Sequence, residues 1–173
     1  MNDKSAPKPL RKQNHPRATA ARERRRADAE AMGVDAEFIS ELVDRFYERI
    51  RSDEVLGPIF ARHIADWGPH LDRIKSFWRS ILHNSAEFSG NPMQRHFAVH
   101  DAGSALGEPE FARWLRMFYA TCNDLALERG MNTDAARQIG RRARMIADSL
   151  LTGIATREQG LSAARAGDRL PLP

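Results

Sequence analysis

The sequence predicts an all-α protein, and three observations carry that reading. Apolar residues recur at i, i+3, i+4 and i+7 in four separate segments. No stretch of any length alternates apolar and polar residues as a strand would. Helix-starting residues, among them Asp35, Asp66 and Pro109, stand where the periodic segments begin. With 42% hydrophobic and 29% charged residues, the chain has the composition of a globular protein able to build a core.

The first helix follows Asp35 as N-cap and gathers Ile39, Leu42, Val43, Phe46, Tyr47 and Ile50 on one face. A turn is expected at Leu56-Gly57-Pro58. The second helix starts after Asp66 and aligns Trp67, His70, Leu71, Ile74, Phe77, Trp78, Ile81 and Leu82, with Pro69 in its first turn, where a missing N–H costs little. The segment with Gly90, Asn91 and Pro92 leaves room for at most one short helix, starting near Pro92 and carrying His96, before a loose Gly/Ser/Ala loop over 101–107. The third long helix opens at Pro109 and presents Phe111, Trp114, Leu115, Phe118, Cys122 and Leu125. The fourth, with Thr133 as cap, turns Ile139, Ala143, Ile146, Ala147, Leu150 and Ile154 inward. These elements define one domain over 34–157, between a basic arm at 1–33, partly disordered or helical, and a C-terminal tail at 158–173.

Charge is concentrated in the arm. Residues 1–33 carry nine Lys/Arg against four Asp/Glu, whereas the rest carries eighteen against nineteen. The run Arg22-Glu23-Arg24-Arg25-Arg26 suits nucleic acid or anionic lipid through non-specific electrostatics, but the neutral body offers no recognition helix rich in Lys/Arg. A solvated, helix-prone leader is the simpler reading. No apolar signal segment and no membrane span are expected, and Cys122 as the lone cysteine suits a reducing, cytoplasmic setting.

Several chemistries find no basis. A Walker loop, a dinucleotide fingerprint and a Gly-x-Ser-x-Gly elbow are all missing. His96 and His100 stand four apart, but no further cysteine or histidine pattern completes a zinc set. What stands out is the placement of amphipathic side chains. Tyr47, His70 and Trp114 lie on the apolar faces of three different helices, and each needs a polar partner when buried. One such residue is ordinarily a satisfied core group. Three, together with His96 on a short isolated helix, suit convergence on a metal-bound ligand, although periodicity does not show that the faces meet.

At these residues the chain resembles the group III truncated haemoglobins, bacterial globins of two-over-two architecture. The matching stretches are Leu42-Val43-Asp44-Arg45-Phe46-Tyr47, Leu56-Gly57-Pro58-Ile59-Phe60, Trp67-Gly68-Pro69-His70, Phe77-Trp78, Gly90-Asn91-Pro92-Met93-Gln94-Arg95-His96, Phe111-Ala112-Arg113-Trp114-Leu115 and Arg142-Ala143-Arg144-Met145-Ile146-Ala147. Their order and spacing agree over residues 36–156, and the four long helices take the family's B, E, G and H places. The stretch from His96 to Phe111 is longer than the family's usual one.

The resemblance implies haem b and iron, held without a thioether link because no Cys-x-x-Cys-His is present. It makes His96 the proximal iron ligand and gives Tyr47, His70 and Trp114 the distal, ligand-binding positions. Phe60 and Ile74 would contact the haem, and Met93 belongs to the proximal motif. Arg73, three residues beyond His70, is in phase to reach a haem propionate, with a solvent-facing arginine as the equal alternative. The implied function is binding of diatomic ligands (O2, NO, CO) in a polar distal pocket, directed to O2, NO or reactive-species handling rather than bulk transport. With a reductase partner, the same haem would serve NO dioxygenation or peroxide turnover. The rival from another class is a haem-free globin-like sensor or interaction module.

Overall fold

A computed structural model describes residues 16–167, apart from the side chains of Pro16, Ala18 and residues 161–167. Residues 1–15 of the basic arm and 168–173 of the tail lie outside the described residues. Seven helices follow in order: α1 (Pro16–Ala31), α2 (Ala36–Ser52), α3 (Leu56–His63), α4 (Trp67–Leu82), α5 (Pro92–Asp101), α6 (Glu108–Glu128) and α7 (Thr133–Gly167). Among the described residues there is no strand, and no helix is long and apolar enough to cross a membrane.

The helix starts obey local chemistry. The Asp35 carboxylate accepts from Phe38 N–H at 2.6 Å, Asp66 from Gly68 N–H at 3.0 Å, and Asn91 from Gln94 N–H at 3.2 Å with Pro92 next in the chain. Three expectations change. Leu56-Gly57-Pro58 is the first turn of an eight-residue helix rather than a turn alone. Asp53 accounts for it, accepting from Val55 and Leu56 N–H at 3.0 and 2.8 Å while Arg113 of α6 holds its carboxylate at 2.9 Å. The side chain at the start of α7 is Asn132, which accepts from Asp134 N–H at 2.9 Å, and Thr133 is already inside the helix. Finally, α7 continues through residue 158 to Gly167, so the first part of the expected tail is helix.

Two pairs of helices make the body. α2 packs against α4 on one side and α6 on the other, α6 packs against α7, α3 sits on α2, and α5 leans on α7. This is the two-over-two arrangement. α2 is its centre: Phe38, Ile39, Leu42, Val43, Phe46 and Ile50 are at most 1% exposed, each such side chain contributing about 1.5–3 kcal/mol by burial. A column of rings then joins three helices. Phe118 of α6 stacks between Trp78 of α4 (4.8 Å between centroids) and Trp114 of α6 (5.2 Å), while Phe46 of α2 sets its edge against both Phe118 (5.3 Å) and Trp114 (5.2 Å). α6 and α7 approach closely at Gly140, where a Cβ would stand 2.7 Å from Tyr119 Cε1. Gly130 turns the chain from α6 towards α7 with φ +61°, a conformation that favours glycine.

α1 contributes little to this core. Among its described side chains only Ala29 is buried, Met32 just beyond it packs on the core, and its arginines 24, 25 and 26 are exposed. His83, at the end of α4, is 4% exposed and donates through Nε2 to the Val34 carbonyl at 2.7 Å, tying the α1–α2 junction to α4.

Candidate functional site

α4 and α5 both carry apolar faces, yet neither is fully covered. On α4 only Trp78 is buried; Leu71, Ile74, Phe77, Ile81 and Leu82 are half-buried, and α5 has no buried residue at all. The two do not form one of the close helix pairs. Between the second half of α4, the start of α5, α7 and α1 lies an open cleft of about 820 Å³ with a floor that includes Phe77, Ile81, Met93, Ile146 and Leu150. That volume falls in the range of about 300–1,000 Å³ common to cofactor and ligand pockets.

The sequence-predicted residues gather in two groups. In the first, the Tyr47 ring meets Phe60 at 5.7 Å and His70 at 5.6 Å, both edge-on, and Trp67 at 6.1 Å; Trp67 in turn meets His70 at 5.8 Å. Helices α2, α3 and α4 thus bring Tyr47, Phe60 and His70 together. Trp114 reaches this group through Phe46, whose ring touches both Tyr47 (5.1 Å) and Trp114. Ile74 is half-buried one turn beyond His70. Arg73 is exposed and lines a shallow pocket of about 190 Å³ with His63, Asp66, Pro69 and His70.

Electrostatics set the state of these groups. Burial pushes the Tyr47 hydroxyl far above its ordinary value, so it stays a neutral O–H donor throughout the physiological range. His70 is held below the usual histidine value, first by burial and then by the charge of Arg73. Its Nε2 is buried and has no hydrogen-bond partner, an orphan that structures rarely tolerate without a reason.

The second group is on α5. His96 is half-buried, and its ring lies against Phe111 of α6 at 6.1 Å and 28°. Its Nδ1 is 2.8 Å from the Pro92 carbonyl. A carbonyl only accepts, so Nδ1 carries the proton and Nε2 keeps its lone pair. Burial lowers the His96 pKa, with the Pro92 bond opposing, which keeps the ring neutral. A neutral imidazole fixed at one nitrogen and free at the other is the form in which histidine binds metals. Met93, one turn earlier, packs against Gly153 of α7 and lines the large cleft, the only predicted site residue to do so.

Tested against the haem that the resemblance implies, this set of residues fits. An imidazole nitrogen without a hydrogen-bond partner stands on α5, a helix with no fully buried residue, an orphaned imidazole and a neutral phenol stand together on α4 and α2, and the apolar faces of α4 and α5 are incompletely covered. Sequence reasoning missed Trp67, which braces Tyr47 and His70, and Phe111, which backs His96. Each sat on a recognised apolar face, but ring contacts between helices leave no mark on periodicity. The long stretch after His96 also finds its place. α5 runs on to Asp101, Gly103 turns the chain at φ +79°, and buried Ser104 takes a 2.7 Å hydrogen bond with His63 of α3.

Comparison with known proteins shows the family to which this fold belongs. The model of the family described as bacterial-like globin matches residues 29–147. Over 118 residues the chain is 30% identical to a group 3 truncated hemoglobin of Campylobacter jejuni, covering 66% of this chain and 86% of that protein. The crystal structure of a group III truncated hemoglobin from Campylobacter jejuni superposes with a TM-score of 0.60 at 29% identity, over 68% of this chain and 89% of the other. The X-ray structure of a thermostable hemoglobin from Thermobifida fusca gives 0.56 at 28%, over 70% and 94%. The chain therefore belongs to the bacterial-like globin family, on the group III truncated haemoglobin pattern.

Proposed function

We propose that the chain holds one haem b through His96 and retains a diatomic ligand under Tyr47 and Trp114, in O2, NO or reactive-species handling rather than transport. The observation that carries this reading is the geometry of His96: half-buried, oriented through Nδ1 by the Pro92 carbonyl, and with Nε2 unused on a helix that has no fully buried residue. When bound, the haem supplies the iron at which the ligand is held and polarised. The chain supplies everything around it. Tyr47 offers an O–H that burial keeps protonated, and Trp114 offers an indole N–H on a ring fixed between Phe46 and Phe118. Phe60 and Ile74 exclude water from the donors and so raise the value of each hydrogen bond. Arg73 stands at the edge, exposed, where a propionate would find it. A reducing cytoplasm suits the buried Cys122 thiol, and catalytic turnover would call for a reductase partner.

A hydrogen bond to a charged or strongly polarised group contributes about 1.5–3 kcal/mol, and about 1.4 kcal/mol is tenfold in a rate or equilibrium. Tyr47→Phe and Trp114→Phe should therefore each speed O2 release roughly ten- to a hundredfold in stopped-flow measurements, and the double variant more. Release rates within twofold of the parent in the double variant would contradict a gripping distal site.

A further inference from the structure

α5 has no fully buried residue, so the few contacts it makes must fix the helix on which His96 stands. The contacts behind it come from one stretch of α7. Gly153 lets the two helices approach: a Cβ there would clash with the Met93 thioether and stand 3.7 Å from Phe97 Cε1. One turn on, the Arg157 guanidinium lies over the Phe97 ring at 5.0 Å and pairs with the Asp101 carboxylate at 2.7 Å. Beside it, the Glu158 carboxylate is 2.8 Å from His100 Nε2. The α5 residues so held, Met93, Phe97, His100 and Asp101, form a single stripe. With 3.6 residues per turn, His96 lies roughly a quarter turn from the middle of that stripe. Sliding or tilting α5 on α7 would therefore move the His96 ring directly. Gly153, Arg157 and Glu158 all lie beyond residue 147, where the match to the bacterial-like globin model ends.

We propose that Gly153, Arg157 and Glu158 are positioning residues for His96. The end of α7 is a brace that sets the height and tilt of α5 and thereby the strength of the bond between imidazole and iron. The inference rests on His96 being the iron ligand. Groups that orient a metal-bound histidine typically change metal affinity by about 10–100-fold when removed. Exposed ion pairs such as Arg157–Asp101 add little to global stability. The brace should thus appear in the geometry of α5 and hardly at all in the melting temperature.

The experiment uses the full-length, haem-loaded protein in its ferrous, ligand-free form and reads the iron–histidine stretching band by resonance Raman, with haemin affinity alongside. Arg157→Asp should shift and broaden that band and weaken haemin binding about tenfold. Adding Asp101→Arg, which restores the pair with reversed charges, should return the band towards its parent position. Glu158→Gln, which keeps the shape of the side chain, should shift the band in the same direction by less and serves if Arg157→Asp fails to fold. Arg144→Ala, which removes an exposed ion pair with Asp148 elsewhere on α7, should leave the band alone. A band unmoved by both Arg157→Asp and Glu158→Gln, or a shift that the reversed pair does not restore, overturns the brace. Failure of the underlying reading looks different: the parent protein would lack the band altogether, and His96→Ala would leave its spectrum unchanged.

Discussion

His96 and His70 show how differently two histidines can be read from a sequence. Spacing put His70 on the apolar face of a long helix and His96 on a short isolated one, and by itself gave neither a role. Their surroundings separate them: Nδ1 of His96 is committed to a carbonyl four residues back, whereas His70 has Nε2 buried with no partner and Arg73 one turn away. Backbone carbonyls and orphaned atoms carry no side-chain signature, so this distinction lay outside the reach of sequence. It has a pH consequence in the haem-free protein. His70 is held below its ordinary value near 6.5, so the unfolded chain binds a proton that the folded chain refuses. Stability from this group is present above about pH 6.5 and is lost as pH falls through the lower, folded value. His70→Leu should therefore flatten the drop in urea midpoint between pH 7 and pH 5. An equal drop in parent and variant would show that His70 titrates freely.

At the scale of elements, the sequence was most readable where a helix buries a face and least where it does not. Every residue expected on the inner face of α2 is buried, and Phe111, Leu115, Phe118, Cys122 and Leu125 of α6 are as well. α3 was read as a turn because eight residues are too few for a periodic signal, although Asp53 three positions before Leu56 is the mark of its start. The end of α7, from residue 158 on, was set aside as tail because the inward apolar series stops at Ile154 and the contact of Glu158 with His100 of α5 is polar and long-range. Packing between α6 and α7 rests on a feature with no periodic signature at all, the close approach at Gly140. Gly140→Val should cost about 1–3 kcal/mol by chemical denaturation, because the new methyls meet the Tyr119 ring, well beyond the few tenths that replacing a helical glycine returns. A change below about 0.5 kcal/mol would mean that Tyr119 swings aside freely.

On the scale of the whole molecule, the two-over-two frame leaves the apolar faces of α4 and α5 incompletely covered, with Tyr47, Phe60 and His70 gathered where α2, α3 and α4 meet and His96 apart from them on α5. The fold class was legible because globin helices keep their motif order; the candidate residues of the site came through the resemblance, since periodicity does not tell which faces meet. Basic charge stays outside this frame, on an α1 that touches the core through little more than Ala29. The central claim is that a haem covers those faces of α4 and α5, with His96 on its iron. Its most direct test is the absorption spectrum of purified protein given haemin, reduced, and exposed to CO, compared with that of His96→Ala. The account predicts stoichiometric uptake with a sharp Soret band and a CO shift in the parent, and weak binding with a broadened band in His96→Ala. A colourless parent that refuses haemin, or a variant whose ferrous and CO spectra match the parent's, would contradict it.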